Sequence, residues 1–229
     1  VTNLAIFDID GTLLRGSSER RFWRYLWAQR RQGPRQLLAY LLFLLRYVPV
    51  GGIHTIKKNK AYLTGLSTAT IERLAADFVA TDFPRNAFAP VVARLKQHLA
   101  RGDAVLLLSG TLQPIADALA HELGVKHVCA TLCEEIHGTY RSGPPDRHPF
   151  YHAKVPLARD FAAQHNLDLS RATAYSDSYH DTELLESMGS PVVVEGDRKL
   201  LSIALARRWE VIWTHGDTGA PLAPHGDAT

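Results

Sequence analysis

Cysteine is scarce in this chain: Cys129 and Cys133 stand four residues apart, and a lone pair at that spacing lacks the second pair that a zinc site needs. They read as two buried or half-buried thiols, and a reducing, cytoplasmic setting fits them. Long apolar runs are also lacking. The run from Leu37 to Leu45 has the length of a buried core helix and falls far short of the roughly 17–25 residues that a bilayer span requires. No basic stretch and apolar core precede the first strand, so no secretory leader is expected. Internal repeats are absent, which excludes a solenoid. Acids are almost missing from one region: between Arg15 and Lys60 eight Arg and three Lys face a single acid, Glu19. That local charge of +10 sits within a net charge of +3, so the remainder carries −7. A positive lobe over an acidic remainder predicts an anionic partner that meets this part first, and no nucleic acid is expected.

What is present is an ordinary globular composition, 46% hydrophobic and 21% charged over 229 residues. That suffices for one good core with a small appended lobe. Leu4-Ala5-Ile6-Phe7 reads as a strand buried on both faces of a parallel sheet. After Thr12 a helix is predicted from Ser17 or Ser18, with Phe22, Trp23, Leu26 and Trp27 on one side. A second follows from Arg35 and breaks at Val48-Pro49-Val50-Gly51-Gly52; helical segments over 53–63 and 68–80 complete an insert without strands. From Ala89 the pattern alternates helix and strand to Trp213, with a Gly- and Pro-rich hairpin or loop between Thr131 and Pro149. The fold class predicted is α/β, a doubly wound, mainly parallel sheet of Rossmann-like form with an inserted all-helical cap. Residues 1–14 and 86–215 form the core, 15–85 the cap, and 216–229 a flexible tail.

Three strand ends carry polar groups: Asp8 and Asp10, then Ser109-Gly110-Thr111, then Asp177 and Asp181. In open α/β sheets the carboxyl ends of the strands form the ligand crevice. Alternation along extended chain turns Asp8 and Asp10 to the same side, where their repulsion calls for a cation between them or a proton on one. Lys154, at the start of the helix before the last motif, adds a positive charge. Two acid pairs, a hydroxyl with free backbone N–H groups and a lysine form a kit for phosphoryl transfer. Each feature has a plainer reading. The Asp pair with Gly-Thr could form a turn and a helix cap, Ser109-Gly110-Thr111 could be turn chemistry, and Asp181 could cap the helix from Thr182. Lys154 could be a solvated helix lysine, with Lys126 as a poorly placed rival. His148 and His152 lie in a loop and read as solvated.

Asp8-Ile9-Asp10-Gly11-Thr12, the strand end Ser109-Gly110-Thr111, Lys154, and Asp177-Ser178 followed by Asp181 resemble, in order and spacing, the four motifs of the haloacid dehalogenase superfamily of aspartate-nucleophile phosphatases. The helical insert resembles the cap of its phosphoserine-phosphatase-like branch. The strings Leu44-Leu45-Arg46-Tyr47-Val48-Pro49 and Tyr175-Ser176-Asp177-Ser178 look most like a phosphatidylglycerophosphate phosphatase of that branch. The resemblance implies Asp8 as nucleophile, forming an aspartyl-phosphate, and Asp10 as the acid that protonates the leaving alcohol and then the base that activates water. It implies Mg2+ held by Asp8, the Asp10 backbone carbonyl and Asp177. Ser109, the N–H groups of Gly110 and Thr111, and Lys154 would hold phosphoryl oxygens, with Asp181 supporting the metal or orienting Lys154. His180 stands where the family often has Asn.

In that branch the cap selects the substrate. Phosphoserine phosphatases place a glutamate nine residues past the nucleophile to meet the substrate ammonium; here that position is Ser17 and Glu19 is offset by two. This argues against phosphoserine and leaves an amino-alcohol phosphate such as histidinol phosphate, with Glu19 as the ammonium partner. The main expectation is thus a phosphatase of a small organic phosphate. The alternatives are a phosphatase of a lipid phosphomonoester at an anionic membrane surface, met by Trp23, Trp27, Tyr40, Phe43, Leu44 and neighbouring arginines, and a catalytically silent binding module. The expected location is cytoplasmic, with peripheral contact to a membrane under the lipid alternative.

Overall fold

The computed structural model describes residues 2–214; the tail expected over 216–229 lies outside them. Strand β1 (Leu4–Phe7) is buried along its whole length and pairs in parallel on both sides, which makes it central. Between it and the next strand come α1 (Ser18–Ala28), α2 (Pro34–Gly51), two 3-10 turns (Ile53–Lys58 and Ala61–Leu63), α3 (Thr68–Asn86) and α4 (Ala89–Ala100). Then follow β2 (Ala104–Leu112), α5 (Gln113–Leu123), β3 (His127–Thr131) and a small antiparallel hairpin, β4 (Glu135–Ile136) with β5 (Thr139–Tyr140). The chain continues as α6 (Lys154–Gln164), β6 (Thr173–Ser176), α7 (Thr182–Glu186), β7 (Ser190–Val194), α8 (Arg198–Arg207) and β8 (Glu210–Ile212).

The six-stranded sheet runs β3-β2-β1-β6-β7-β8 and is parallel throughout. Strand order reverses direction at β1, where β2 lies on one side and β6 on the other, and such a switch point opens a crevice at the carboxyl ends. Register decides what faces it. Phe7 lies opposite Leu107 and Tyr175, so the residues that follow these three positions emerge at one edge. Alternation along β1 splits the core: Ala5 and Phe7 pack with α3, α4 and α5, whereas Leu4 and Ile6 pack with α6, α7 and α8. The first of these cores also takes in Phe22, Leu26, Tyr62 and Leu63, so the inserted helices share hydrophobic packing with the sheet.

The inserted helices depart from the expected pattern in three ways. Phe22 and Leu26 are buried, but Trp23 and Trp27, one position further round α1, are 39% and 47% exposed. Helix α2 continues through Pro49 and stops only at Gly52, whose φ of +68° a glycine adopts without steric cost. Of its apolar run only Phe43 is buried; Leu37, Leu38, Leu41, Leu42 and Leu45 all face outward. That run is therefore not a core helix.

Candidate active site

The floor of the crevice is built by the three strand ends. Asp8, directly after β1, is buried; its Oδ1 accepts the N–H of Ile9 at 2.7 Å and its Oδ2 lies 3.1 Å from Lys154 Nζ. Burial pushes the Asp8 carboxyl up, Lys154 draws it back and the Asp181 charge adds to the rise. The ammonium of Lys154 is buried too and donates to Asp181 Oδ2 at 2.6 Å. Burial alone would lower its pKa, but the two facing carboxylates outweigh that and hold it charged. Asp181 also accepts from Ser176 Oγ at 2.6 Å and makes no capping bond to α7, so its carboxylate is turned to the lysine rather than to its own helix. Lys126 is exposed and lines no part of the cavity, while Lys154 does.

Asp10 faces the first helix of the insert. Its Oδ1 accepts the N–H of Ser18 at 2.9 Å, at the start of α1, where unpaired amides favour an anion. Burial raises its pKa to about 6; the Ser18 bonds oppose the rise and the charges of Asp8 and Glu19 favour it. Asp177 is held by Thr12, which donates to its Oδ1 at 2.9 Å and accepts its backbone N–H at 3.1 Å. Gly11, with φ +86°, leaves room for this carboxylate: a Cβ there would fall 2.0 Å from Asp177 Oδ2. Burial first, then the Asp8 charge, raises Asp177 to about 7.

Ser109, Gly110 and Thr111, expected at a strand end, lie inside β2. The pairing with β3 slips between Leu108 and Leu112, and such a bulge turns side chains and amides out of the ladder. Ser109 is buried and its hydroxyl opposes the rise of the Asp8 carboxyl; Thr111 Oγ1 lies 2.8 Å from Ser18 Oγ, tying β2 to α1. Thr131 donates to Gly110 O at 2.7 Å and so accepts from His148 Nδ1, 2.8 Å away. His148 is thus half-buried and not a solvated loop residue; burial, then Lys60, Lys58 and Lys57, lowers its pKa to about 3. His152, by contrast, is open to solvent beside Glu183.

All the predicted site residues line one cavity of about 500 Å3, Glu19 included. Glu19 is already engaged: Lys60 Nζ donates to both its oxygens, at 2.7 and 2.5 Å, and Tyr62 donates to Oε1 at 2.7 Å. The supporting roles of Thr12, Ser18, Ser176, Lys60 and Tyr62 were not assigned from sequence. Thr12 and Ser176 adjoin the motif acids and were the ones a short-range reading could have found. Among the described residues no three His, Cys, Asp or Glu side chains gather as a metal set. Asp8 and Asp177 instead offer two hard carboxylates in a site with an excess of acid, a donor set that fits an Mg2+ retaining several waters.

Residues 5–186 match the profile of the haloacid dehalogenase-like hydrolases. The chain belongs to that family. It stands on the phosphatase branch, whose members generally use Mg2+. Phosphoserine phosphatase SerB1 of Mycobacterium tuberculosis is 28% identical over 92% of this chain and 70% of its own length. Histidinol-phosphatase of Neisseria meningitidis serogroup C is 26% identical over 92% of this chain and 98% of its own. Among solved structures, a protein of unknown function from Bordetella pertussis Tohama I superposes with a TM-score of 0.79 at 26% identity, covering 94% of this chain and all of that one.

Proposed function

We propose that this phosphatase hydrolyses a small organic phosphomonoester with Mg2+ through a phosphoryl group carried on Asp8. The observation that carries the reading is the setting of Asp8: a buried carboxylate 3.1 Å from Lys154, lining the same cavity as an Asp10 raised to about 6. Asp8 attacks phosphorus, and the ester oxygen departs with the proton of Asp10; Asp10 then takes a proton from the water that displaces phosphate from Asp8. A carboxyl with a pKa near 6 can do both. Ser109, the amides of Gly110 and Thr111, and Lys154 hold the phosphoryl oxygens as charge shifts during transfer. Asp8, Asp177 and the Asp10 carbonyl would hold Mg2+, which when bound neutralises charge on the phosphoryl group. Asp181 keeps Lys154 in place. Residues 15–85 act as the cap that selects the substrate. Relatives named for phosphoserine and histidinol phosphate support a small-molecule substrate.

The test is Mg2+-dependent phosphate release from p-nitrophenyl phosphate. EDTA should abolish it, and Asp8→Asn should lower turnover by roughly 10⁴-fold or more with the fold intact by circular dichroism. Retained turnover in that variant would refute the assignment of Asp8.

A second reading, a lipid phosphomonoester at an anionic membrane surface, is favoured by one observation, the exposed leucine row of α2. Each such side chain, half to three-quarters exposed, forgoes about 1–2 kcal/mol of burial. Among the described residues no helix is long and apolar enough to cross a membrane, so this contact would lie along the surface. Co-sedimentation with phosphatidylglycerol vesicles but not phosphatidylcholine vesicles is its expected signature; absence of binding to both would remove it.

A further inference from the structure

The cavity has a floor where the phosphate reacts and a wall, formed by the inserted helices, that must meet the rest of the substrate. Glu19 is the acid of that wall. Its carboxylate is engaged at both oxygens, by Lys60 at each and by the Tyr62 hydroxyl at Oε1. Lys60 is only 5% exposed, and among the described residues Glu19 is its one carboxylate partner. A substrate ammonium would have to displace Lys60 from Glu19 and leave a buried cation without a counter-charge, which is strongly unfavourable. Arg20 and Lys57 line the same wall and form no ion pair among the described residues; Lys57 rests over the Phe150 ring, its ammonium 4.4 Å from the centroid. The wall therefore presents two uncompensated cations and a neutralised acid.

Resting on the phosphatase reading above, we propose that the distal subsite takes an anionic group: the substrate is a phosphomonoester with a second acidic function and no ammonium, met by Arg20 and Lys57. Lys60 is the specificity-determining residue, because it occupies Glu19 where an ammonium would otherwise bind. The expectation drawn from sequence alone, Glu19 as ammonium partner, is thereby replaced.

The experiment compares kcat/KM for matched pairs on the full chain with Mg2+: 3-phosphoglycerate against O-phosphoserine, which exchange hydroxyl for ammonium, and 2-phosphoglycolate against phosphoethanolamine, which exchange carboxylate for ammonium. The wild type should favour the member without an ammonium in each pair by roughly tenfold or more, chiefly through KM. Lys60→Met releases Glu19 and should bring the first ratio to unity or below. Arg20→Ala, at an exposed position that folding tolerates, should lower the second ratio by roughly threefold or more. Equal or better hydrolysis of the ammonium esters by the wild type would overturn the proposal, whether or not Lys60→Met folds. So would an unchanged ratio in a folded Lys60→Met. p-Nitrophenyl phosphate has no distal charge and separates the two levels: if it is hydrolysed in an Asp8-dependent way while the pairs show no preference against ammonium, only the distal assignment fails. If no ester is cleaved, the phosphatase reading fails with it.

Discussion

At the floor of the cavity each charged group has a fixed partner: Asp8 and Asp181 share Lys154, Asp177 is held by Thr12, and Asp10 takes the first amide of α1. The wall opposite has one buried ion pair, Lys60 with Glu19, and leaves Arg20, Lys57 and Trp23 open. The floor is anchored on three parallel strands, where register leaves little choice of position. The wall is carried on helices and 3-10 turns that share a core with the sheet but turn an apolar row outward along α2. Under the proposed function the difference has a reason: reaction chemistry needs groups held to a fraction of an ångström, which a sheet supplies, and selection needs a surface that can vary, which inserted helices supply.

The comparison can be broken most forcefully at Lys154. Lys154→Met leaves Asp8 and Asp181 facing each other without a cation, and chemical denaturation should show a loss of about 3–5 kcal/mol. Adding Asp181→Asn should restore part of that stability but not the turnover; full additivity in the cycle would mean the floor is not a coupled unit. Gly11→Ala should cost about 1–3 kcal/mol in the same measurement, since it strains a φ of +86° and drives a methyl into Asp177. It should also raise the Mg2+ concentration needed for half-maximal activity.

Closer to the wall, His148 gives a pH signature. Its folded pKa is lowered to about 3 from an ordinary 6.5, so below pH 6.5 the unfolded chain binds the proton more readily. Stability from this residue is complete above pH 6.5 and is lost as pH falls toward 3. Raised carboxyls such as Asp10 act in the opposite sense, so the measurement is the difference in Tm between wild type and His148→Gln, which should shrink as pH is lowered. The smallest effect belongs to α2: Leu41→Gln and Leu45→Gln should change stability by no more than about 0.5 kcal/mol, because neither side chain is buried. A loss of several times that would show that the row is covered in the free protein.

Much of the floor was legible in the residues because its signals are local. Asp8, Asp10, Ser109, Lys154, Asp177 and Asp181 stand at or beside the ends of strands and helices whose periodicity is strong, and the structure brings all six to one cavity. The alternation of helix and strand from Ala89 to Trp213 was legible for the same reason, and it includes α8, capped by Asp197. Less was legible in the insert. Helical periodicity gave α1 but not which neighbouring apolar pair would be buried, and Phe22 and Leu26 won over Trp23 and Trp27 because Phe22 meets Phe78 and both join the sheet core. An apolar run of nine residues reads as core whether or not a partner exists to cover it. The bulge in β2 and the half-burial of His148 depend on pairings between distant strands and loops.

The sequence by itself determined the layout of the Asp8-Ile9-Asp10-Gly11-Thr12 segment behind β1, since turn and acid spacing are properties of five consecutive residues. Only the tertiary structure decided what Glu19 pairs with. Lys60 lies forty-one positions away, and no local pattern could show that a buried ammonium, held where the 3-10 turns return to α1, takes up the one acid of a basic lobe.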